Sequence, residues 1–230
     1  MKKFQFALMA FVGLGLSSGV FASPTLCSDG DPNADGMSVS DVTWQGENAD
    51  DCYGINQTGS GGNVSVDDAN AAWGDGGLNT SFGPGNFTEV VKKEQGSDGM
   101  GSFAGLDFTL EADIGENGQG TPADWALSWV CNGNCPATID VVVGLKASNR
   151  NGLWLLDDTL FDDQGGDSGT GAGTFVINFD NNGSSNPGLS NMVLLMREGT
   201  AVSEPGSLAL LSLGLLGLYA GRKATSRNDS

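Results

Sequence analysis

The feature that most constrains this chain is its punctuation. Apolar-patterned runs of seven to ten residues are separated by clusters of Gly, Asn, Asp and Ser at 59–63, 74–77, 115–120, 164–173 and 181–188. These residue types favour turns, because they tolerate positive φ or hydrogen-bond their own backbone. Glycine is 37 of 230 residues, more than double the usual share of about 7%, which disfavours long helices.

The runs between the clusters read as strands at 37–44, 87–93, 103–112, 123–130, 138–146, 152–160, 173–179 and 189–197. Leu106, Phe108 and Leu110 alternate onto one face, as do Phe175, Ile177 and Phe179. Val141, Val142 and Val143 run without alternation, the pattern of a strand buried on both faces. No segment outside the two termini shows a convincing helical period. Short strands with turns between them predict an all-β chain, a single β-sandwich or jelly-roll-like domain at 23–201. The first 60 or so residues of that span are loop-rich and read as an irregular cap.

The ends differ in kind from this body. Lys2 and Lys3 precede an apolar stretch from Phe4 to Leu16, and Val20-Phe21-Ala22 places small residues at the positions a signal peptidase reads. Residues 1–22 therefore read as a secretory signal peptide cut between Ala22 and Ser23. At the other end Glu204-Pro205 precedes a Leu/Gly-rich helix at about 207–220, followed by Arg222 and Lys223 and a tail at 224–230. That helix is shorter than the roughly 17 residues that span a bilayer comfortably. Basic residues after it tend to stay cytoplasmic, so the segment reads as a temporary membrane hold with the main domain outside.

Residues 202–223 resemble the PEP-CTERM sorting signal of Gram-negative bacteria. Ser203 stands where that family often has Pro. The resemblance implies that an integral-membrane exosortase reads Glu204 and Pro205, with Arg222 and Lys223 as the basic end. It also implies transient anchoring in the inner membrane, then delivery to the cell surface or extracellular matrix. In that family the route accompanies exopolysaccharide and biofilm production.

Charge and composition exclude several functions for the exported part. Five of the ten Lys/Arg and 27 of the 28 Asp/Glu fall within 23–204, a net charge of −22. Such acidity argues against nucleic acid and anionic membrane as partners. The chain has no histidine, which removes Ser-His-Asp and Cys-His catalysis and the commonest metal ligand. The four cysteines, Cys27, Cys52, Cys131 and Cys135, allow three disulfide connectivities in an oxidising compartment. Local pairing, Cys27 with Cys52 and Cys131 with Cys135, is favoured over a four-Cys zinc site.

Three features ask for ligand chemistry. Glu111, Asp113 and Glu116 fit Glu-x-Asp-x-x-Glu, which resembles the catalytic strand of laminarinase-type glycoside hydrolases. That resemblance implies a nucleophile at Glu111, an acid/base at Glu116 and a tuning carboxylate at Asp113. Coincidence in an acid-rich chain accounts for the same six residues, and the following Gly-rich stretch reads as a hairpin tip. Asp29, Asp31, Asn33 and Asp35 look like the start of a calcium loop, but Val42 occupies the twelfth position and no helices flank it. An acidic surface turn is the commoner account, so calcium is the one candidate cofactor. Trp44, Trp73, Trp125, Trp129 and Trp154 are candidates for a sugar platform, although aromatics inside strand patterns usually pack in cores. Trp73, read as a loop residue, is the best candidate for an exposed ring. Asp157-Asp158 and Asp162-Asp163 read as turn residues.

The leading expectation is a non-enzymatic surface or matrix protein handled by signal peptidase and an exosortase. The alternatives are a carbohydrate-binding module and a laminarinase-like hydrolase.

Overall fold

The computed structural model describes residues 27–29, 36–55, 62–74, 86–133, 135–148, 150–163, 165–178 and 187–199. The signal peptide, the sorting signal and Asp31, Asn33 and Asp35 of the calcium-like loop lie outside these residues. Twelve strands and two short helices are described: β1 (Ser28–Asp29), a 3-10 helix (Val39–Asp41), β2 (Thr43–Trp44), β3 (Glu47–Asn48), β4 (Asp51–Ile55), α1 (Val66–Gly74), β5 (Thr88–Glu94), β6 (Met100–Phe103), β7 (Leu106–Ala112), β8 (Ala123–Cys131), β9 (Ala137–Ala147), β10 (Arg150–Phe161), β11 (Ser168–Phe175) and β12 (Asn191–Glu198). They build a six-stranded sheet in the order β1-β4-β10-β9-β12-β5 and a four-stranded sheet in the order β11-β8-β7-β6, with β2-β3 as a small hairpin.

The two larger sheets form a sandwich. Leu106, Phe108 and Leu110 of β7 and Trp125, Leu127 and Trp129 of β8 share one core with Val141, Val143, Trp154, Leu194 and Met196 of the six-stranded sheet. Val142, Leu153, Leu155, Val193 and Leu195 point the other way, into a second apolar cluster with Val64, Ala69 and Phe87. The six-stranded sheet is thus buried on both faces, as the unbroken Val141–Val143 run predicts. The four-stranded sheet is covered on one face, and β7 and β8 alternate buried and exposed accordingly.

The tryptophans fill this core. Trp125, Trp129 and Trp154 are nearly inaccessible and Trp44 is buried. Trp44 stacks on Trp125 at 4.9 Å, and Phe161 meets Trp129 edge-on at 5.0 Å. Three of the indole N–H groups donate to carbonyls: Trp125 to Thr43, Trp129 to Asp162 and Trp154 to Ser38. These four rings therefore do not form a sugar platform.

The indoles explain the largest departure from the expected strands. The run 164–173 reads as a turn, yet Ser168–Phe175 is a full strand paired with β8. Its inward positions Gly169, Gly171 and Gly173 carry no side chain because Trp129, Trp44 and Trp125 occupy the space that a Cβ would need. The partner strands supply the apolar mass, so β11 lacks an apolar signature of its own. Only Gly173, Thr174 and Phe175 of the expected 173–179 run lie in a strand, its last three residues.

Other boundaries also shift. The expected strand 103–112 is divided by a turn at Ala104-Gly105, both at positive φ, into β6 and β7. The expected strand 37–44 is interrupted by the 3-10 helix at Val39–Asp41, and only Thr43–Trp44 is strand. Its Asp41 caps the Ser38 N–H at 2.7 Å and accepts from Asn178 at 2.6 Å, while burial pushes its carboxyl pKa up. A helix absent from the sequence reading, α1, begins where Ser65 and Asp68 cap one another in a Ser-x-x-Asp box. At nine residues it is too short to show a clear period. Trp73 lies in this helix, not in a loop, and its side chain is outside the described set. The supposed cap also contributes β4, which pairs with β10.

Both favoured disulfides form. Cys27–Cys52 ties the start of the described chain to β4, and Cys131–Cys135 closes the link from β8 to β9. With every cysteine paired, the four-Cys zinc alternative is discarded.

Candidate functional site

Two surfaces of the sandwich gather polar chemistry. The first is the outer face of the four-stranded sheet. Its alternate positions are mostly small or polar: Asp107, Thr109 and Glu111 on β7, Asp124, Ala126 and Ser128 on β8, Thr170 and Ala172 on β11, with Met100 of β6 and Val130 of β8 as exposed apolar exceptions. Cross-strand register places Thr109 beside Ser128 and Ser128 beside Thr170. Two depressions follow the strands along this face. One, of about 410 Å³, includes Asp107, Thr109, Ser128 and Thr170. The other, of about 590 Å³, includes Lys93, Glu111, Asp113, Asp124 and Ala172.

Asp107 is held in place there. It accepts from the Ser102 hydroxyl at 2.5 Å and from the Asn132 amide at 2.8 Å, and these donors lower its pKa. Glu111 is exposed at the outer edge of β7. Asp113 has left the strand and accepts the Asp124 N–H at 3.1 Å. Glu116 sits one tight turn further on, its N–H bonded to the Asp113 carbonyl, and its own carbonyl accepts the Leu189 N–H. The second depression brings Glu111 and Asp113 together without Glu116. The expected hairpin between β7 and β8 is present, and Glu116 belongs to its connection.

The second surface is a carboxylate cluster that the sequence reading missed. Asp157 and Asp158 are strand residues, not turn residues. They form a bulge where the β10–β9 register shifts between Leu156 and Thr159, and Asp158 takes φ +45°. The bulge turns both toward Asp140 of β9, and carboxylate oxygens of all three lie within 4.8 Å of one another. Asp140 is buried and holds Arg197 through two contacts of 2.6 and 2.7 Å. Its other oxygen accepts the Asp158 N–H at 2.9 Å, and Asp50 accepts the Asp157 N–H at 2.8 Å. Desolvation, then the neighbouring Asp140 and Asp158 charges, push Asp157 up to about 7. Burial and Asp140 also raise Asp158. A doubled Asp in an otherwise apolar strand run was the available signal, but the partner at Asp140 is visible only once β9 and β10 are paired. Asp162 and Asp163 do form a turn, in which Asp163 accepts from Gly165 and Gly166.

Among the described residues no helix is long and apolar enough to cross a membrane. Comparison with curated proteins finds no match, and neither does comparison with solved structures. Comparison with protein families finds one match of direct consequence: the PEP-CTERM protein-sorting motif, over residues 201–224. That span contains Glu204, Pro205, Arg222 and Lys223. The all-β sandwich with its two disulfides is therefore the body of a chain that carries the PEP-CTERM sorting motif, an exported protein sorted by an exosortase.

Proposed function

We propose that this protein is a non-enzymatic component of the cell surface or extracellular matrix, associated with exopolysaccharide. Signal peptidase would release Ser23 as the new N-terminus, and the exosortase would act near Glu204-Pro205. The observation that carries the reading is the sorting motif joined to a sandwich stapled at two places, a body suited to persistence outside the cell. The placement of Glu116 in a turn beyond the strand that carries Glu111 supports a non-catalytic role, because retaining hydrolysis needs two carboxyls about 5–5.5 Å apart. Incubation with a panel of β-glucans tests this directly. No release of reducing ends is expected. Release that disappears in Glu111→Gln would establish the hydrolase instead.

A second reading, polysaccharide binding, is favoured by the two depressions along the outer face of the four-stranded sheet. Small hydroxyl side chains there can exchange hydrogen bonds with sugar hydroxyls, and Asp107 and Glu111 can accept them. Retardation in gels containing neutral or amino-sugar polymers, relieved by Asp107→Asn with Glu111→Gln, would support it. A third reading, calcium held by Asp29, Asp31, Asn33 and Asp35, is tested by calcium-dependent melting.

A further inference from the structure

The chain leaves the sandwich at a defined place, close to the motif that sorts it. β12 lies inside the six-stranded sheet between β9 and β5, and seven of its eight residues are buried. Its end is pinned: Arg197 pairs with Asp140 and lies 5.0 Å from the Phe87 ring, and the Gly199 N–H bonds to the Thr138 carbonyl. Four residues lie between Gly199 and Glu204, which makes five Cα-to-Cα steps. Fully extended they reach roughly 17 Å. Whatever reads Glu204-Pro205 on the folded protein must therefore come within that distance of this end of the sandwich.

The same end is acidic. Glu198 is exposed beside Gly199, and Asp158 lies against Gly199. Asp157 is half-buried at the bulge, and Asp163 is exposed just after Phe161, which pairs with Ala137 at the same end of β9. The positive charge is at the opposite end. Lys92, Lys93 and Lys146 pair in register with Val193, Met192 and Asn191, the first residues of β12, and Arg150 pairs with the last residue of β9. Apart from Arg197, held by Asp140, the described Lys and Arg residues all lie at that far end. Glu94, Asp98, Glu111, Asp113 and Asp124 lie at that far end too and offset those cations, Glu94 by pairing with Lys92. At the exit end Arg197, already held by Asp140, is the one described cation beside Asp157, Asp158, Asp163 and Glu198.

We propose that the acidic exit end, Asp157, Asp158, Asp163 and Glu198, is a docking face for the membrane-embedded sorting enzyme. The inference rests on the exosortase route argued above. An enzyme that reads the Glu204 carboxylate must present donors or positive charge to it, and the short tether holds the acidic end within reach of that same surface. Anionic lipid is the poorer occupant, because its negative surface potential repels this end. The face would raise the encounter rate of motif and enzyme by electrostatic steering.

The test uses the full chain in its native host, following loss of the C-terminal segment by pulse–chase and intact mass. Asp163→Asn with Glu198→Gln, both exposed, is expected to slow conversion about tenfold. Glu94→Gln with Asp98→Asn, the same charge change at the far end, should leave the rate unchanged. Fifteen Gly/Ser residues inserted after Thr200 should slow the wild type and erase the difference between it and the exit-end variant. Conversion of the exit-end variant at the wild-type rate overturns the docking face while leaving the sorting route intact. Faster conversion also overturns it and identifies repulsion from lipid. A charge effect that survives the long tether unchanged places the effect elsewhere and overturns it as well. A wild-type chain that keeps its C-terminal segment removes the sorting route itself.

Discussion

β9 and β11 are both long strands with residues packed into the sandwich core, and their sequences share almost nothing. β9 brings its own apolar mass, with Ile139, Val141, Val142, Val143 and Leu145 all buried. β11 reads Ser-Gly-Thr-Gly-Ala-Gly-Thr-Phe and is packed by indoles from Trp129, Trp44 and Trp125. The same burial is reached from opposite sides of the contact. What a core position requires is filled volume, and that volume can be encoded on a different strand.

The comparison breaks most severely where β11 depends on a borrowed ring. Trp129→Ala would remove the ring over Gly169 and leave the Asp162 carbonyl without its donor. Urea unfolding should show a loss of about 3–5 kcal/mol. Ile139→Val in β9 removes one methylene from a strand that packs itself, and should cost only about 0.5–1.5 kcal/mol. Comparable losses in the two variants would contradict the asymmetry.

The reverse substitution sharpens the point. Gly173→Val places a side chain where the Thr43 carbonyl and the Trp125 indole already sit. The cost should be about 3 kcal/mol, with near-ultraviolet dichroism from Trp125 disturbed. A strand selected only for flexibility would accept valine, which has the higher strand propensity.

The two disulfides offer a graded test of a related contrast. Cys27–Cys52 closes a separation of 25 residues and Cys131–Cys135 one of four. Chain-entropy arguments assign about 3.5 kcal/mol to the first and about 2 kcal/mol to the second. Paired Cys→Ala variants compared by urea melts should keep that order.

A pH dependence tests the comparison on a separate axis. Asp157 titrates near 7 in the folded chain, above its ordinary value of 3.8. In that window the folded state binds more protons than the unfolded state, so stability falls as pH rises from about 4 to about 7 and levels off above it. Asp157→Asn should flatten this slope. Asp107, on the four-stranded sheet, is shifted down by its two hydrogen-bond donors. Its contribution runs the other way, present at neutral pH and lost as the medium is acidified. An unchanged slope in Asp157→Asn would show that the cluster does not hold the proton.

The elements with self-contained signals were legible: alternation in β7 and β8, the double-sided burial of Val141–Val143, the local disulfides and the sorting motif. Those that depend on partners were not. β11 is invisible without the indoles that cover it, and α1 is too short to show a period. Core packing of Trp125, Trp129 and Trp154 was legible from the strand patterns that hold them, whereas the burial of Trp44 shows only once both sheets are assembled. The Asp140, Asp157 and Asp158 cluster needs a bulge in β10 and the register of β9, and neither is written in local sequence. Glu111 and Glu116 fit a catalytic spacing in sequence, but one sits on a strand and the other beyond a turn.

The central claim is that this sandwich is exported, stapled and sorted through its C-terminal motif. The most direct test is the intact mass of the protein recovered from its native host, with and without reduction and alkylation. The account predicts a species that begins at Ser23, ends near Glu204 and gains alkyl groups only after reduction. A membrane-bound species that retains residues 208–220 would contradict it.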